Sequence, residues 1–75
     1  MSEKMIVLSK RLKNRSSQAF EKKLNKEIGW ANPMIFISEE VEIIVNLDKD
    51  EDLKEVVERV KEVAGKEYEV EIYEP

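Results

Sequence analysis

Apolar and polar positions along this chain change period several times, and each change marks an element. Lys4-Met5-Ile6-Val7-Leu8 is apolar at successive positions, the habit of a strand covered on both faces, so it is expected at the centre of a sheet. Ser9-Lys10-Arg11-Leu12-Lys13-Asn14-Arg15 is too polar for a sheet interior. Phe20, Leu24 and Ile28 then recur every fourth residue with Ala19 beside them, which places one narrow apolar stripe on a helix of about 13 residues. Ser16 or Ser17 can cap it. A start at Ser9 is the rival reading, because Leu12 continues the stripe backward; the shorter helix is expected. Gly29 stands where a helix closes in a left-handed backbone.

Two strand-like arms follow, Pro33-Met34-Ile35-Phe36-Ile37 and Val41-Glu42-Ile43-Ile44-Val45-Asn46-Leu47, with Ser38-Glu39-Glu40 between them. β-Branched and aromatic residues fill both arms, and Pro33 can open the first where no ladder N–H is yet needed, so the pair predicts a hairpin. Trp30, just ahead of it, is expected to close one end of the core as the largest packing element. Asp48-Lys49-Asp50-Glu51 has the spacing of a capping box. Leu53, Val56, Val57, Val60, Val63 and Ala64 then share one helical face, Glu55 and Arg59 can pair across a turn on the other, and Gly65 ends the helix. The last strand alternates, with Tyr68, Val70 and Ile72 inward and Glu69, Glu71 and Tyr73 outward.

The order β-α-β-β-α-β, with two amphipathic helices that each need a sheet to cover, predicts the α+β ferredoxin-like split βαβ fold. Its four strands make an antiparallel sheet in the order 4-1-3-2 with two helices on one face. Residues 1–75 read as a single domain, near the lower size limit for a core without disulfides or metals.

Composition narrows the chemistry. With no cysteine and no histidine, thiolate sites, thiol nucleophiles and the most frequent general base and metal ligand are excluded. Tyr68, Tyr73 and the serines stand in no recognisable base or oxyanion pattern, so no catalytic residue, metal ligand or cofactor site is assigned and an enzyme is not expected. The longest apolar runs are far too short to span a bilayer or serve as a signal segment, which predicts a soluble, cytoplasmic protein without membrane contact. Charged residues make up 40% of the chain, the habit of a protein from a hot environment. The net charge of −4 is unevenly spread: residues 1–37 hold eight cations and three acids, the remainder five and fourteen, so the halves carry +5 and −9. Such polarity bears on partners rather than on fold.

Three stretches are candidate sites. Lys10, Arg11, Lys13 and Arg15 precede Ser16, Ser17 and a helix N-terminus, a group able to hold phosphate, and Lys22, Lys23 and Lys26 can extend it along the helix. Nucleic-acid binding through this loop and helix is therefore one expectation, against the plain alternative of a solvated loop. Asp48, Asp50 and Asp52 open like a calcium-binding EF-hand loop, but its turn glycine would fall at Leu53 and its closing glutamate at Arg59, leaving a helix N-terminus that gathers acids. The strand Val41–Leu47, the acidic helix start Asp50-Glu51-Asp52-Leu53 and the closing strand, within residues 39–74, resemble the acidic half of PB1 domains, which associate head to tail through acidic and basic surfaces. A PB1 domain opens with a hairpin, where Met1–Ser9 has room for one strand. Finally, the hairpin arms are apolar on both sides, so with two helices on one face the other stays partly bare. Ile35, Phe36, Ile44 and Tyr73 are the residues expected there, with alternate members of the Met5–Leu8 and Met34–Ile37 runs. Glu42, Glu69 and Glu71 make that sheet a poor platform for RNA bases. The expected function is thus a small non-enzymatic protein-interaction or self-assembling module, a homo-oligomer or the binder of a partner protein.

Overall fold

The computed structural model describes residues 2–8, 17–65 and 68–74. Strand β1 (Ser2–Leu8) leads to helix α1 (Ser17–Ile28), a 3-10 turn (Gly29–Ala31), strands β2 (Met34–Ile37) and β3 (Val41–Leu47), helix α2 (Asp50–Ala64) and strand β4 (Val70–Tyr73). The four strands form one antiparallel sheet in the order β2-β3-β1-β4. This is the ferredoxin-like split βαβ arrangement: the apolar β1 and β3 are central, and each helical crossover skips one strand. The β1–β3 ladder runs from Ser2 opposite Leu47 to Leu8 opposite Val41. β1 is paired on both sides, by β3 and β4, so the sheet leaves no place beside it for the opening hairpin of a PB1-like module.

Register explains which residues are buried, because directly opposed residues on neighbouring strands share a face. Ile35, Ile43, Ile6 and Ile72 form one row across the sheet, and Ile37, Val41, Leu8 and Val70 the next. Apart from Ile72, these residues join Phe20, Leu24 and Ile28 of α1 and Val56, Val57, Val60 and Ala64 of α2 in one core. Both helices therefore cover the same face. Phe20 also meets Tyr68 at a ring-centroid distance of 6.1 Å. Arg59 reaches across to α1, where its guanidinium bonds Glu27 Oε1 at 3.1 Å, in place of the expected pairing with Glu55 along its own helix.

The helix ends depart from the sequence reading. α1 stops at Ile28 and tightens into the 3-10 turn; the left-handed residue is Asn32 (φ 55°, ψ 52°), whose N–H donates to the Gly29 carbonyl at 3.0 Å. Gly29 has no positive φ, because the extra turn moves the reversal three residues on, to an asparagine that tolerates it. In that turn successive side chains point about 120° apart, and burying Ala31 sends Trp30 outward. Trp30 is 51% exposed, its indole N–H bonded to the Glu27 carbonyl, so it is not the expected lid.

At α2 the cap residue is the extended Lys49, with no side-chain cap bond. Glu51 is then the second helical residue rather than the third, and the capping box read from Asp48 does not form. Backbone N–H groups of Asp52 and Leu53 instead close on the Lys49 carbonyl at 3.1 and 3.3 Å. Asp50, Glu51 and Asp52 fill the first turn, where negative charge favours the helix dipole. Gly65 does end α2, with φ +88° and its N–H bonded to the Lys61 carbonyl at 2.9 Å. No helix among the described residues is long and apolar enough to cross a membrane.

Candidate functional site

The face of the sheet away from the helices carries the other half of every strand. Met34, Ile44, Met5 and Tyr73 lie opposite one another in register, a row of large side chains that crosses all four strands without a charged residue. Phe36, Glu42, Val7 and Glu71 form the next row. Met34, Phe36 and Tyr73 are 56%, 49% and 46% exposed, while Met5 and Ile44 in the middle are half-buried. Val7 is buried although it belongs to this side, lying between its cross-strand partners Glu42 and Glu71, whose methylene stems can shield it. No described element packs over this face, which leaves a contiguous apolar strip in contact with solvent.

Charge on this face has one sign. The ionisable groups at outward strand positions, besides the Tyr73 phenol, are the carboxylates of Glu3, Glu42 and Glu71. Lys4 is the only cation on the described strands; it stands opposite the buried Val45, on the helix side, with its ammonium 2.5 Å from Glu74. The Tyr73 hydroxyl donates to the Glu71 carboxylate. That bond and the negative charge of Glu71 raise the Tyr73 phenol above its ordinary 10.0, with desolvation and the charge of Glu40 adding smaller pushes in the same direction.

Of the residues expected at a self-association surface, Phe36, Ile44 and Tyr73 are brought together here. Ile35 is not: it opposes Ile43 on the helix side and packs partly buried against the core. Met5 and Met34 complete the apolar row in its place. The signal lay in the hairpin. A turn of Ser38, Glu39 and Glu40 sets Ile37 opposite Val41 and therefore Met34 opposite Ile44, so once Ile44 points outward Met34 and Phe36 must follow and Ile35 cannot.

The expected phosphate-binding group is only partly within view. Lys10, Arg11, Lys13, Arg15 and Ser16 lie outside the described residues, as does the choice between helix starts at Ser9 and Ser16; Ser17 is the first described residue of α1. Lys22, Lys23 and Lys26 are exposed along α1. Lys23 and Lys26 line a shallow cleft at the helix seam with Glu27, Glu62 and Val63, so two carboxylates balance the two ammonium groups and the cleft is no anion site. Among the described residues no group of three or more Asp or Glu side chains is placed to hold a metal ion. A second groove, between α2 and β4, is lined by Leu53, Lys54, Val57, Glu58, Lys61 and Ile72. Compared with protein-family models and with curated proteins, the chain matches none.

Proposed function

We propose that this domain is a non-enzymatic protein-interaction module whose contact surface is the outer face of its sheet. The observation that carries the reading is the apolar row Met34–Ile44–Met5–Tyr73, flanked by Phe36 and spanning every strand. The same four strands bury their inward side chains under two helices, and a partner laid on the other side would remove the outward row from water at about 25 cal/mol per Å² of apolar surface. Strand backbones inside a sheet are already paired, so recognition there works through side chains. Three carboxylates and few exposed aromatic rings disfavour a nucleic acid on this face. The nucleic-acid reading rests on residues 10–16, which lie outside the described residues, and on Lys22 and Lys26 of α1.

The test uses the full chain and its amide NMR spectrum. The expected outcome is that contact with a second copy or with an apolar-faced helical peptide shifts amides of outward positions around Met5, Phe36 and Ile44, and that Ile44→Glu abolishes the shifts while leaving the fold intact. Contacts that never touch these amides would remove the proposal.

A further inference from the structure

We infer that the occupant of this face is a basic amphipathic helix of another protein, apolar along one stripe and carrying lysine or arginine on both flanks. The inference rests on the reading of the outer face as a contact surface and adds the chemistry of its partner.

Shape gives the first argument. With strands about 4.8 Å apart, a row across four of them spans about 14 Å, and outward positions along one strand are about 7 Å apart. The uninterrupted strip is therefore long across the strands and narrow along them. Three turns of helix rise about 16 Å in a body about 10 Å wide, so one helix laid across the strands matches the strip. A second sheet, which offers apolar side chains over a broad area, does not. Glu42 and Glu71 lie on one side of the strip and Glu3 on the other, which is where the two flanks of such a helix would fall.

Charge gives the second argument and speaks against a second copy. Stacking two of these faces about a two-fold axis along the strands sets Glu42 over Val7 and Glu71 over Phe36; an axis across the strands sets them towards the row of Glu3 and Asn46. Either way six carboxylates enter one interface, and no described cation on the outer strand positions meets them. Leaving such charges desolvated and unpaired opposes association. Nor do the other described surfaces fit: the groove between α2 and β4 sets Lys54 and Lys61 beside Leu53 and Ile72, but with Glu58 among them and as a recess that cannot lie on the strip. α1 exposes Lys22, Lys23 and Lys26 but no large apolar side chain beside them, and the exposed Trp30 adjoins Asp48, Lys49 and Asp52. A partner that brings its own cations satisfies the face, and it also explains why an anionic ligand would not.

The experiment titrates the full chain with three designed helical peptides that share one leucine stripe and differ only in flanking residues: lysine, glutamine or glutamate. Amide shifts are followed at low and high salt. The lysine-flanked peptide is expected to shift the outward positions of all four strands and to bind about tenfold tighter than the glutamine one, the sum of three rim pairs. That advantage should vanish in high salt; in free energy it should fall by about two thirds in the Glu42→Gln/Glu71→Gln variant and by about a third in Glu3→Gln, at the exposed end of β1. Equal binding of the lysine and glutamine peptides at the sheet would overturn the inference while leaving the contact surface standing. So would a lysine peptide that shifts only the acidic start of α2, with the glutamine peptide on the sheet. Tight self-association through the face, with the peptides unable to compete, would make the occupant a second copy and overturn it as well. If neither peptide nor second copy reaches the sheet, the inference and the proposed function fall together.

Discussion

Ile43 and Ile44 are adjacent in β3, identical in side chain and opposite in fate. Ile43 is fully buried between sheet and helices, and Ile44 is half-buried on a face that no described element covers. The two sides of the sheet differ in what lies at their borders as well. Inward positions are aliphatic along nearly their whole length, with Lys4 at one end reaching Glu74. Outward positions carry an equally apolar middle row but are bounded by Glu3, Glu42 and Glu71. Composition of the strands does not separate a core from a contact surface; the presence of helices over one face does. The outer face thus combines the residues of a core with the borders of a surface.

Truncating the two isoleucines separates the faces most sharply. Ile43→Ala should lose about 2–5 kcal/mol of stability to the cavity it leaves, while Ile44→Ala should lose less, about 1–2 kcal/mol, since part of its apolar surface is already in water. Urea denaturation of both variants reads the difference. Equal losses would mean that the outer face is sealed in the isolated chain.

The helical cover of the inner face can be tested at its ends. Gly65 holds φ +88° and ψ 178° where α2 turns back towards β4, a backbone region nearly closed to other residues, so Gly65→Ala should cost about 1–3 kcal/mol. Gly29 has no positive φ, and an added Cβ would meet nothing within 4 Å. Gly29→Ala should therefore leave stability unchanged or raise it by about 0.4–1 kcal/mol through the unfolded chain. Thermal melts of the pair would show opposite signs.

Arg59→Ala should cost less again, about 0–1 kcal/mol, because the bond to Glu27 that ties α2 to α1 is well exposed to solvent. A much larger loss would show that the helices depend on this link rather than on their shared apolar seam.

The smallest effect reports on the charge of the outer face. In a Tyr68→Phe background, ultraviolet titration should find the Tyr73 phenol ionising above 10.0, and Glu71→Ala should bring it down by removing the bond and the charge that raise it. Raising the folded pKa means that the folded state keeps its proton where the unfolded chain has lost it. Stability from this group is thus complete below the unfolded value and falls as pH rises through the window between the two. Titration at or below the ordinary value would contradict the acidic border drawn here.

Much of this was legible along the chain because periodicity is a local property. The four-residue recurrence of Phe20, Leu24 and Ile28, the face shared by Val56, Val57, Val60 and Ala64, and the turn residues Ser38-Glu39-Glu40 set the elements and their order. With two helices needing one sheet, the topology had few alternatives. The helix ends were less legible, since Gly29 and Asp48 each offered a good local solution that the chain did not use. Local rules say that a residue can cap; whether it does depends on where the neighbouring elements pull the backbone. Trp30 turned outward for the same reason, because Ala31 took the buried position.

The outer face of the sheet marks the boundary between the two kinds of information. Alternation along β3 assigns Ile43 and Ile44 to opposite sides, a consequence of backbone geometry that needs no partner. Which side becomes the core, and which strands supply Met34, Met5 and Tyr73 to the other, depends on a register that joins residues up to 68 positions apart, as Met5 and Tyr73 are. No local pattern encodes such a meeting. It follows from the whole chain burying as much apolar surface as two helices can cover, and the row left outside is what they could not reach.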